Sequence, residues 1–252
     1  MNATADDGVA IDSHEVEFPG VDATLRGFLA RPTERAATAR GGVVLFPDVF
    51  GLSALYRKIA ARIAGFGHVV LALDPYSREG PPTLPDMAAV ERWIANLPDD
   101  RLVGDVEAAT TWLATSPGVD SRVAVLGFCM GGQVAIQSAC RIPRLSACVS
   151  FYGMLRYDRR DERKPASPLD LAPRLGCPLL GLYGADDRLV PVEDRVALET
   201  ILRREGKSFA LHVFGGAGHA FANEGRPDAF RPEATDVAWA LVRDFLDRRL
   251  RA

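Results

Sequence analysis

The sequence predicts an α/β fold with a mostly parallel central sheet and helices on both faces. Short continuous apolar runs, typical of buried parallel strands, alternate along the 252-residue chain with segments whose apolar residues recur at helical spacing. Such alternation is the pattern of strand–helix–strand units. Because 252 residues can bury one large core and no long Pro-, Gly- or Ser-rich stretch divides them, we expect one domain over residues 1–252.

The individual elements follow from periodicity and from the positions of glycine and proline. Residues 14–32 alternate loosely around Pro19-Gly20, which predicts an N-terminal antiparallel hairpin. The apolar runs predict further strands at 42–46, 68–73, 123–127, 147–151, 178–183 and 209–214. Helical spacing predicts helices at 52–64, 87–94, 99–115, 132–141, 193–204 and 234–250.

Composition narrows the classes of function. A net charge of −3 with 25% charged residues is typical of an ordinary globular protein and not of a polybasic nucleic-acid binder. No apolar run has the length of a membrane span and the first residues are acidic, so we expect a cytoplasmic protein that binds neither nucleic acid nor membrane. The four cysteines lack metal-type spacing, which argues against a zinc site or a disulfide framework. We expect a monomer.

The most informative motif is Gly127-Phe128-Cys129-Met130-Gly131-Gly132, directly after a buried strand. Glycines on both sides leave room for a sharp strand-to-helix turn that pushes the Cys129 side chain clear of the backbone. The N-terminus of the following helix favours a thiolate and can bind an oxyanion. Cys129 is therefore the predicted nucleophile.

Two later loops carry the partners that a nucleophilic thiol needs. Asp186 and Asp187 follow the strand at 178–183, and His219 ends a glycine-rich loop after the strand at 209–214. The order nucleophile, acid, base is one of the chain orders in which catalytic triads occur. Taken singly, a buried Cys, a helix-capping Asp pair and a loop His are ordinary structural features. Together they favour a triad of Cys129, Asp187 and His219, with Asp186 capping or lining the turn.

These positions resemble the dienelactone hydrolase family, the carboxymethylenebutenolidases, over nearly the whole chain. The resemblance implies the α/β-hydrolase fold, attack of Cys129 on a lactone carbonyl, a ring-opened acyl-thioester, and release by water that His219 assists, without any metal or organic cofactor. It rests on the motif around Cys129, on Phe151-Tyr152-Gly153, on Asp187, on Gly218-His219-Ala220-Phe221-Ala222, and on Asp74-Pro75-Tyr76-Ser77-Arg78.

The segment Phe46-Pro47-Asp48-Val49-Phe50-Gly51 follows the first buried strand, where family members carry an acidic residue followed by a hydrophobic residue, Phe and Gly. By resemblance, the backbone N–H groups of Val49 and Met130 form the oxyanion hole. Asp48 stands where the family usually has Glu, which contacts the thiol and helps to form the thiolate. The Asp side chain is one methylene shorter than that of Glu, so either the backbone at position 48 lies closer to the thiol or the activation of the thiol differs. The alternative is that Asp48 caps the following helix.

Substrate recognition is predicted from the same resemblance. Arg78 matches one of the arginines with which the family holds a substrate carboxylate. The second arginine, four residues after the catalytic His, is replaced by Asn223, and Arg226 or the charged loop 156–164 could substitute. That loop is either a lid over the site or a solvent-exposed surface loop. The other residues expected to line the substrate site are Tyr76, Phe50 and Tyr152.

The sequence thus predicts a hydrolase of a small lactone or ester, with the conversion of dienelactone to maleylacetate as the first reaction to test. A general carboxylesterase or thioesterase of the same fold is the nearest alternative. A non-catalytic thiol sensor or ligand-binding protein is an alternative of another class, because a low-pKa thiol can also be oxidised. An aligned Asp and His argue for the enzyme, since a sensor does not need them.

Overall fold

A nine-stranded, mostly parallel sheet organises the part of the chain that the computed structural model describes, residues 2–4, 9–33 and 41–250. The strands are β1 (Asn2–Thr4), β2 (Ala10–Pro19), β3 (Thr24–Pro32), β4 (Gly42–Phe46), β5 (Val69–Leu73), β6 (Val123–Phe128), β7 (Leu145–Phe151), β8 (Leu179–Gly184) and β9 (Phe209–Phe214). Their order is β1-β2-β3-β5-β4-β6-β7-β8-β9, with β1 to β3 and the β3–β5 pair antiparallel and the other pairs parallel. The predicted fold class, including the N-terminal antiparallel hairpin, is confirmed.

Helices connect most of the parallel strands. They are α1 (Ala54–Gly65), α2 (Met87–Asn96), α3 (Asp99–Ala114), α4 (Met130–Arg141), α5 (Pro168–Leu171), α6 (Val192–Arg204) and α7 (Pro232–Leu250), with a 3-10 turn at Ala172–Arg174. Periodicity did not predict β1, α5 or the 3-10 turn, because three or four residues are too few to show a period. Among the described residues, no helix is both long and apolar enough to cross a membrane.

The two faces of the sheet bury separate hydrophobic clusters. Along β4, Val44 and Phe46 belong to the cluster beneath α3, α4 and α6, whereas Val43 and Leu45 belong to the cluster beneath α1 and α7. Successive side chains of a strand point to opposite faces, so a strand covered on both sides reads as a continuous apolar run. This burial is why β4 to β8 could be recognised in the sequence.

The register of the parallel strands brings their carboxyl ends to one edge. Phe46 at the end of β4 pairs with Gly127 in β6, Phe128 pairs with Phe151 at the end of β7, and Gly184 pairs with Phe214 at the ends of β8 and β9. The loops after β4, β6, β8 and β9 therefore leave the sheet on the same side. All the predicted catalytic side chains lie on these loops.

The charged loop 156–164 is attached to the body of the protein. Lys164 and Asp99, at the start of α3, form a buried ion pair with 2.7 Å between Nζ and Oδ1. The Tyr157 hydroxyl donates to Asp99 at 2.7 Å and accepts from Gln137 of α4, while Arg156 pairs with Asp194 of α6. These contacts fix both ends of the loop against the α3–α4 side of the sheet.

We expect Lys164→Met to destabilise the protein strongly, because it leaves the Asp99 carboxylate buried without its cation. Removing one partner of a buried ion pair lowers the free energy of unfolding by about 3–5 kcal/mol. Urea denaturation followed by circular dichroism measures the loss. The double variant Lys164→Met/Asp99→Asn should recover part of it, since no uncompensated charge then remains. A loss below about 1 kcal/mol, the value of an exposed pair, would contradict the assignment.

Candidate active site

Cys129 lies in a strained turn between β6 and α4. Its backbone has a φ of 53° and a ψ of −116°, in the positive-φ region that residues other than glycine rarely adopt. The neighbouring chain segments pack against this turn without space for side chains. A Cβ on Gly127 would lie 2.0 Å from the Gly131 carbonyl oxygen, and one on Gly131 would lie 2.3 Å from the Phe46 carbonyl oxygen. Both glycines are therefore required by close backbone approach.

We expect Gly131→Ala to unfold or severely destabilise the protein, because backbone atoms of β4 would have to move. Overpacking typically lowers the free energy of unfolding by about 1–3 kcal/mol, and the cost of a clash with rigid backbone is at or above the upper end of that range. Thermal unfolding and the yield of folded protein measure the effect. Gly215→Ala is the matched control, since a Cβ there would meet nothing within 4 Å. Equal stability of the two variants would contradict the predicted steric requirement.

An Asp–His pair lies across from this turn. The His219 Nδ1 and Asp187 Oδ2 atoms are 2.9 Å apart, and Asp187 Oδ1 accepts hydrogen bonds from the backbone N–H groups of Leu189 and Val190. Asp187 is 3% exposed, whereas Asp186 is exposed. Of the two aspartates, the structure thus turns Asp187 toward His219.

The imidazole of His219 also interacts with the Cys129 thiol. Its second ring nitrogen, Nε2, is buried and forms no hydrogen bond with any described residue. Burial by itself lowers the pKa of His219, but interactions with Asp187 and then Cys129 outweigh it and raise the pKa to about 10. The raised pKa favours the protonated imidazole.

Asp48 is buried at the same edge. Its Oδ1 atom accepts a hydrogen bond of 2.9 Å from the backbone N–H of Phe50, and the Tyr56 side chain also stabilises the charged carboxyl. Burial is the larger effect and raises the pKa of Asp48 above its ordinary value. The N-cap of α1 is Ser53, so Asp48 caps the local turn at residues 48–51 and does not cap the helix.

Of the two residues predicted to form the oxyanion hole, Val49 follows β4 and Met130 directly follows Cys129. Met130 is the first residue of α4, where a backbone N–H group has no partner within the helix. The Tyr76 hydroxyl donates to the Val49 carbonyl oxygen at 2.7 Å, which fixes the orientation of the loop that carries Val49. Both Val49 and Met130 are buried.

The residues predicted to bind substrate differ in their surroundings. Phe50 is 54% exposed at the rim, and the Tyr152 ring packs edge-on against His219 with 5.1 Å between centroids. The Asn223 side-chain oxygen accepts from the Gly225 N–H and so closes its own turn. Tyr76 supports Val49 through its hydroxyl, as described above.

Arg78 is already paired with two carboxylates. Its guanidinium donates two hydrogen bonds, of 2.8 and 2.9 Å, to Asp105 of α3 and further hydrogen bonds to Asp22 in the β2–β3 turn. The hydrogen bonds with Asp105 are the main reason why the pKa of Arg78 is raised. Its charge is thus neutralised within the fold, so the proposed grip on a substrate carboxylate would have to displace or add to these contacts. The role stays a prediction.

One buried residue of the site was not predicted. Tyr56, in the first turns of α1, is 2% exposed and faces Asp48. The sequence showed it only as one of the apolar positions of α1. A buried tyrosine hydroxyl usually has a polar partner, which is the signal that could have drawn attention to it.

The mostly parallel sheet, the cysteine at a strained strand-to-helix turn and the Asp–His pair on the loops after β8 and β9 define an α/β-hydrolase. The model of the dienelactone hydrolase family matches residues 25–250. The chain belongs to this family and is a hydrolase that acts on carboxylic ester bonds. The predicted resemblance is confirmed.

Known proteins similar to this chain agree with that placement. A Bradyrhizobium protein provisionally named a 2-oxo-3-(5-oxofuran-2-ylidene)propanoate lactonase is 34% identical over 214 residues, which cover 84% of each chain. An Escherichia coli K12 protein provisionally named a carboxymethylenebutenolidase is 32% identical over 77% of this chain and 72% of its own. The crystal structure of a Klebsiella pneumoniae protein, provisionally described as a dienelactone hydrolase, matches with a TM-score of 0.88 and 27% identity, covering 94% of this chain and 98% of that one.

Proposed function

We propose that the protein is a cysteine-dependent hydrolase that opens a small unsaturated lactone, with dienelactone to maleylacetate as the first reaction to test. The observation that carries the proposal is the Asp187–His219 pair, with 2.9 Å between Oδ2 and Nδ1, at the edge of the sheet where Cys129 occupies its strained turn. Two of the similar proteins bear the names of lactone-opening enzymes. The substrate in each name is an acid that contains an unsaturated five-membered lactone ring. They support this substrate class.

The geometry supports an acyl-thioester mechanism. The Cys129 thiolate attacks the lactone carbonyl, and the N–H groups of Val49 and Met130 are the proposed donors to the oxyanion. The ring C–O bond then breaks, and the leaving oxygen takes a proton from His219 Nε2. Because the substrate is cyclic, the leaving group stays attached to the acyl-enzyme through its carbon chain.

Hydrolysis of the thioester completes the cycle. His219, now neutral, accepts a proton from a water molecule that attacks the thioester carbonyl. The C–S bond breaks, and Cys129 returns as a thiolate beside the imidazolium. Asp187 keeps Nδ1 protonated throughout, so that Nε2 is the nitrogen that exchanges the proton.

Steady-state hydrolysis tests the proposal. Cis- and trans-dienelactone are compared with p-nitrophenyl acetate, using the wild-type enzyme and Cys129→Ala in parallel. The proposal expects lactone turnover that exceeds acetate turnover and that disappears in the variant. Lactone turnover that survives the loss of the thiol, or no lactone turnover by the wild type, would overturn it.

The pairing of Arg78 favours a second candidate, an esterase of uncharged acyl groups. Arg78 is held by Asp105 and Asp22, and Asn223 supplies no charge. The methyl ester of dienelactone separates the candidates, because it keeps the ring and removes the carboxylate. A kcat/KM for the free acid at least about tenfold above that of the methyl ester, or about 1.4 kcal/mol, indicates recognition of the anion. Equal values favour the uncharged substrate.

We also propose a monomer in the cytoplasm that takes only small molecules as partners. All four cysteines are free thiols, and a reducing compartment preserves thiols. Size-exclusion chromatography with light scattering tests the oligomeric state: a mass near 27.2 kDa is expected, and twice that value would contradict the proposal.

A further inference from the structure

Arg195 is a buried arginine that binds backbone oxygens and not a carboxylate. It lies in the first turn of α6 at 8% exposure. Its guanidinium donates from Nη1 to the carbonyl oxygen of Gly184 and from Nη2, at 3.3 Å, to that of Ala185. The neighbouring Asp194 is paired with Arg156, and Arg195 forms no ion pair within the described part of the chain. Because a buried charge is costly unless polar groups compensate it, the two carbonyl oxygens have a stabilising role here.

These carbonyl oxygens belong to the turn that carries the predicted catalytic acid. The Gly184 oxygen also accepts the backbone N–H of Asp187, at 3.4 Å. The loop that leads to the catalytic His packs directly on this turn: a Cβ on Gly184 would lie 2.3 Å from the Ala217 carbonyl oxygen, and the Ala185 N–H donates to the Phe214 carbonyl oxygen at 2.9 Å. Arg195 therefore binds the turn at the point where the loops after β8 and β9 meet.

The direction of the Asp187 carboxyl depends on the backbone of this turn. Its Oδ1 atom accepts from the N–H groups of Leu189 and Val190, and its Oδ2 atom lies 2.9 Å from the His219 Nδ1. Both ends of the turn are thus fixed, the later end by the carboxyl itself and the earlier end by the guanidinium that reaches back from α6. A shift of the earlier end would change the distance between the carboxyl and the imidazole.

A guanidinium suits this task, because its donors lie in one rigid plane and can reach two neighbouring carbonyl oxygens at once. We infer that Arg195 is a positioning residue, which holds the turn at residues 184–187 so that the Asp187 carboxyl meets the Nδ1 of His219. This role rests on the triad of the proposed function and adds a residue that acts on His219 through Asp187.

Proton NMR of the resting enzyme and steady-state kinetics test this role in wild type, Arg195→Met and Arg195→Lys. The signal of interest is the His219 Nδ1–H, assigned by its absence in His219→Gln. In Arg195→Met it should move upfield, because the hydrogen bond with Asp187 lengthens once the turn is released. The kcat for lactone hydrolysis should fall about ten- to hundredfold, the scale of a small misplacement of a catalytic group, with KM nearly unchanged. Arg195→Lys should give intermediate values, since an ammonium keeps the charge but not the paired donors.

Leu198→Ala is the control for lost stability. Leu198 is buried on the same helix, so its truncation leaves a cavity without removing the contacts to the two carbonyl oxygens. This variant should lower the melting temperature and leave both the NMR signal and kcat unchanged. An unmoved signal in Arg195→Met, an unchanged kcat there, or equal changes in Leu198→Ala would overturn the inference.

Two features keep the test decisive. If Arg195→Met folds poorly, Arg195→Lys replaces it, and an unmoved Nδ1–H signal in that variant overturns the inference. The signal is recorded without substrate, so it tests Arg195 even if the wild-type enzyme does not hydrolyse the lactone. Absence of lactone turnover overturns the proposed function alone.

Discussion

Cys129→Ala is expected to lower kcat for lactone hydrolysis by about 10⁴- to 10⁶-fold, the scale found when the nucleophile of a triad is removed. The covalent route disappears with the sulfur, and only substrate binding and the proposed oxyanion stabilisation by Val49 and Met130 remain. KM should change little, because the substitution leaves the walls of the site intact. Steady-state kinetics, with the folded state checked by circular dichroism, measures both constants.

Cys140→Ala is the matched control for the loss of a thiol. Cys140 is buried on α4, and burial raises the pKa of its thiol to about 12, so it is not a nucleophile at neutral pH. We expect this variant to keep its kcat and to lose only some stability. A comparable loss of kcat in both variants would show that Cys129 has no special role.

Asp187→Asn is expected to lower kcat by about 10³- to 10⁴-fold through its effect on His219. An amide in place of the carboxylate removes the negative charge and favours the wrong imidazole tautomer. The pKa of His219, raised to about 10 in the wild type, should fall because its hydrogen bond with Asp187 is the largest of the effects that raise it. NMR titration of the imidazole measures this shift directly.

The same pair makes stability depend on pH. Because the folded-state pKa of His219 lies above the ordinary value of 6.5, its contribution is fully present below pH 6.5 and is lost as pH rises through about 10. Asp187→Asn should weaken this dependence, and Asp186→Asn, at an exposed neighbour, should leave both kcat and the pH dependence unchanged. An unshifted His219 pKa in Asp187→Asn would contradict the assignment.

The fold could be predicted because its signals are local. Strands β4 to β8 are buried on both faces and read as continuous apolar runs, and the longer helices show their period. The start of α4 at Met130, two residues before the predicted start, was missed because glycines near a helix terminus carry no helical signal. The single-domain organisation stays a prediction.

The candidate site could be predicted only where a residue's position follows from its place after a strand. Cys129, Asp187 and His219 meet because parallel strands end at one edge, which chain order alone indicates. The surroundings of Arg78 could not be predicted, since they depend on Asp105, 27 positions away along the chain. Such contacts between distant elements leave no pattern in the sequence.

Mass spectrometry of the intact enzyme, quenched with acid during turnover of dienelactone, tests the acyl-thioester on Cys129 most directly. The leaving group of a cyclic ester stays attached to the acyl chain. The acyl-enzyme should therefore carry the full mass of the lactone, whereas p-nitrophenyl acetate should add only an acetyl group. Peptide mapping should place both adducts on Cys129. An adduct on another residue would contradict the account, as would efficient lactone turnover by Cys129→Ala.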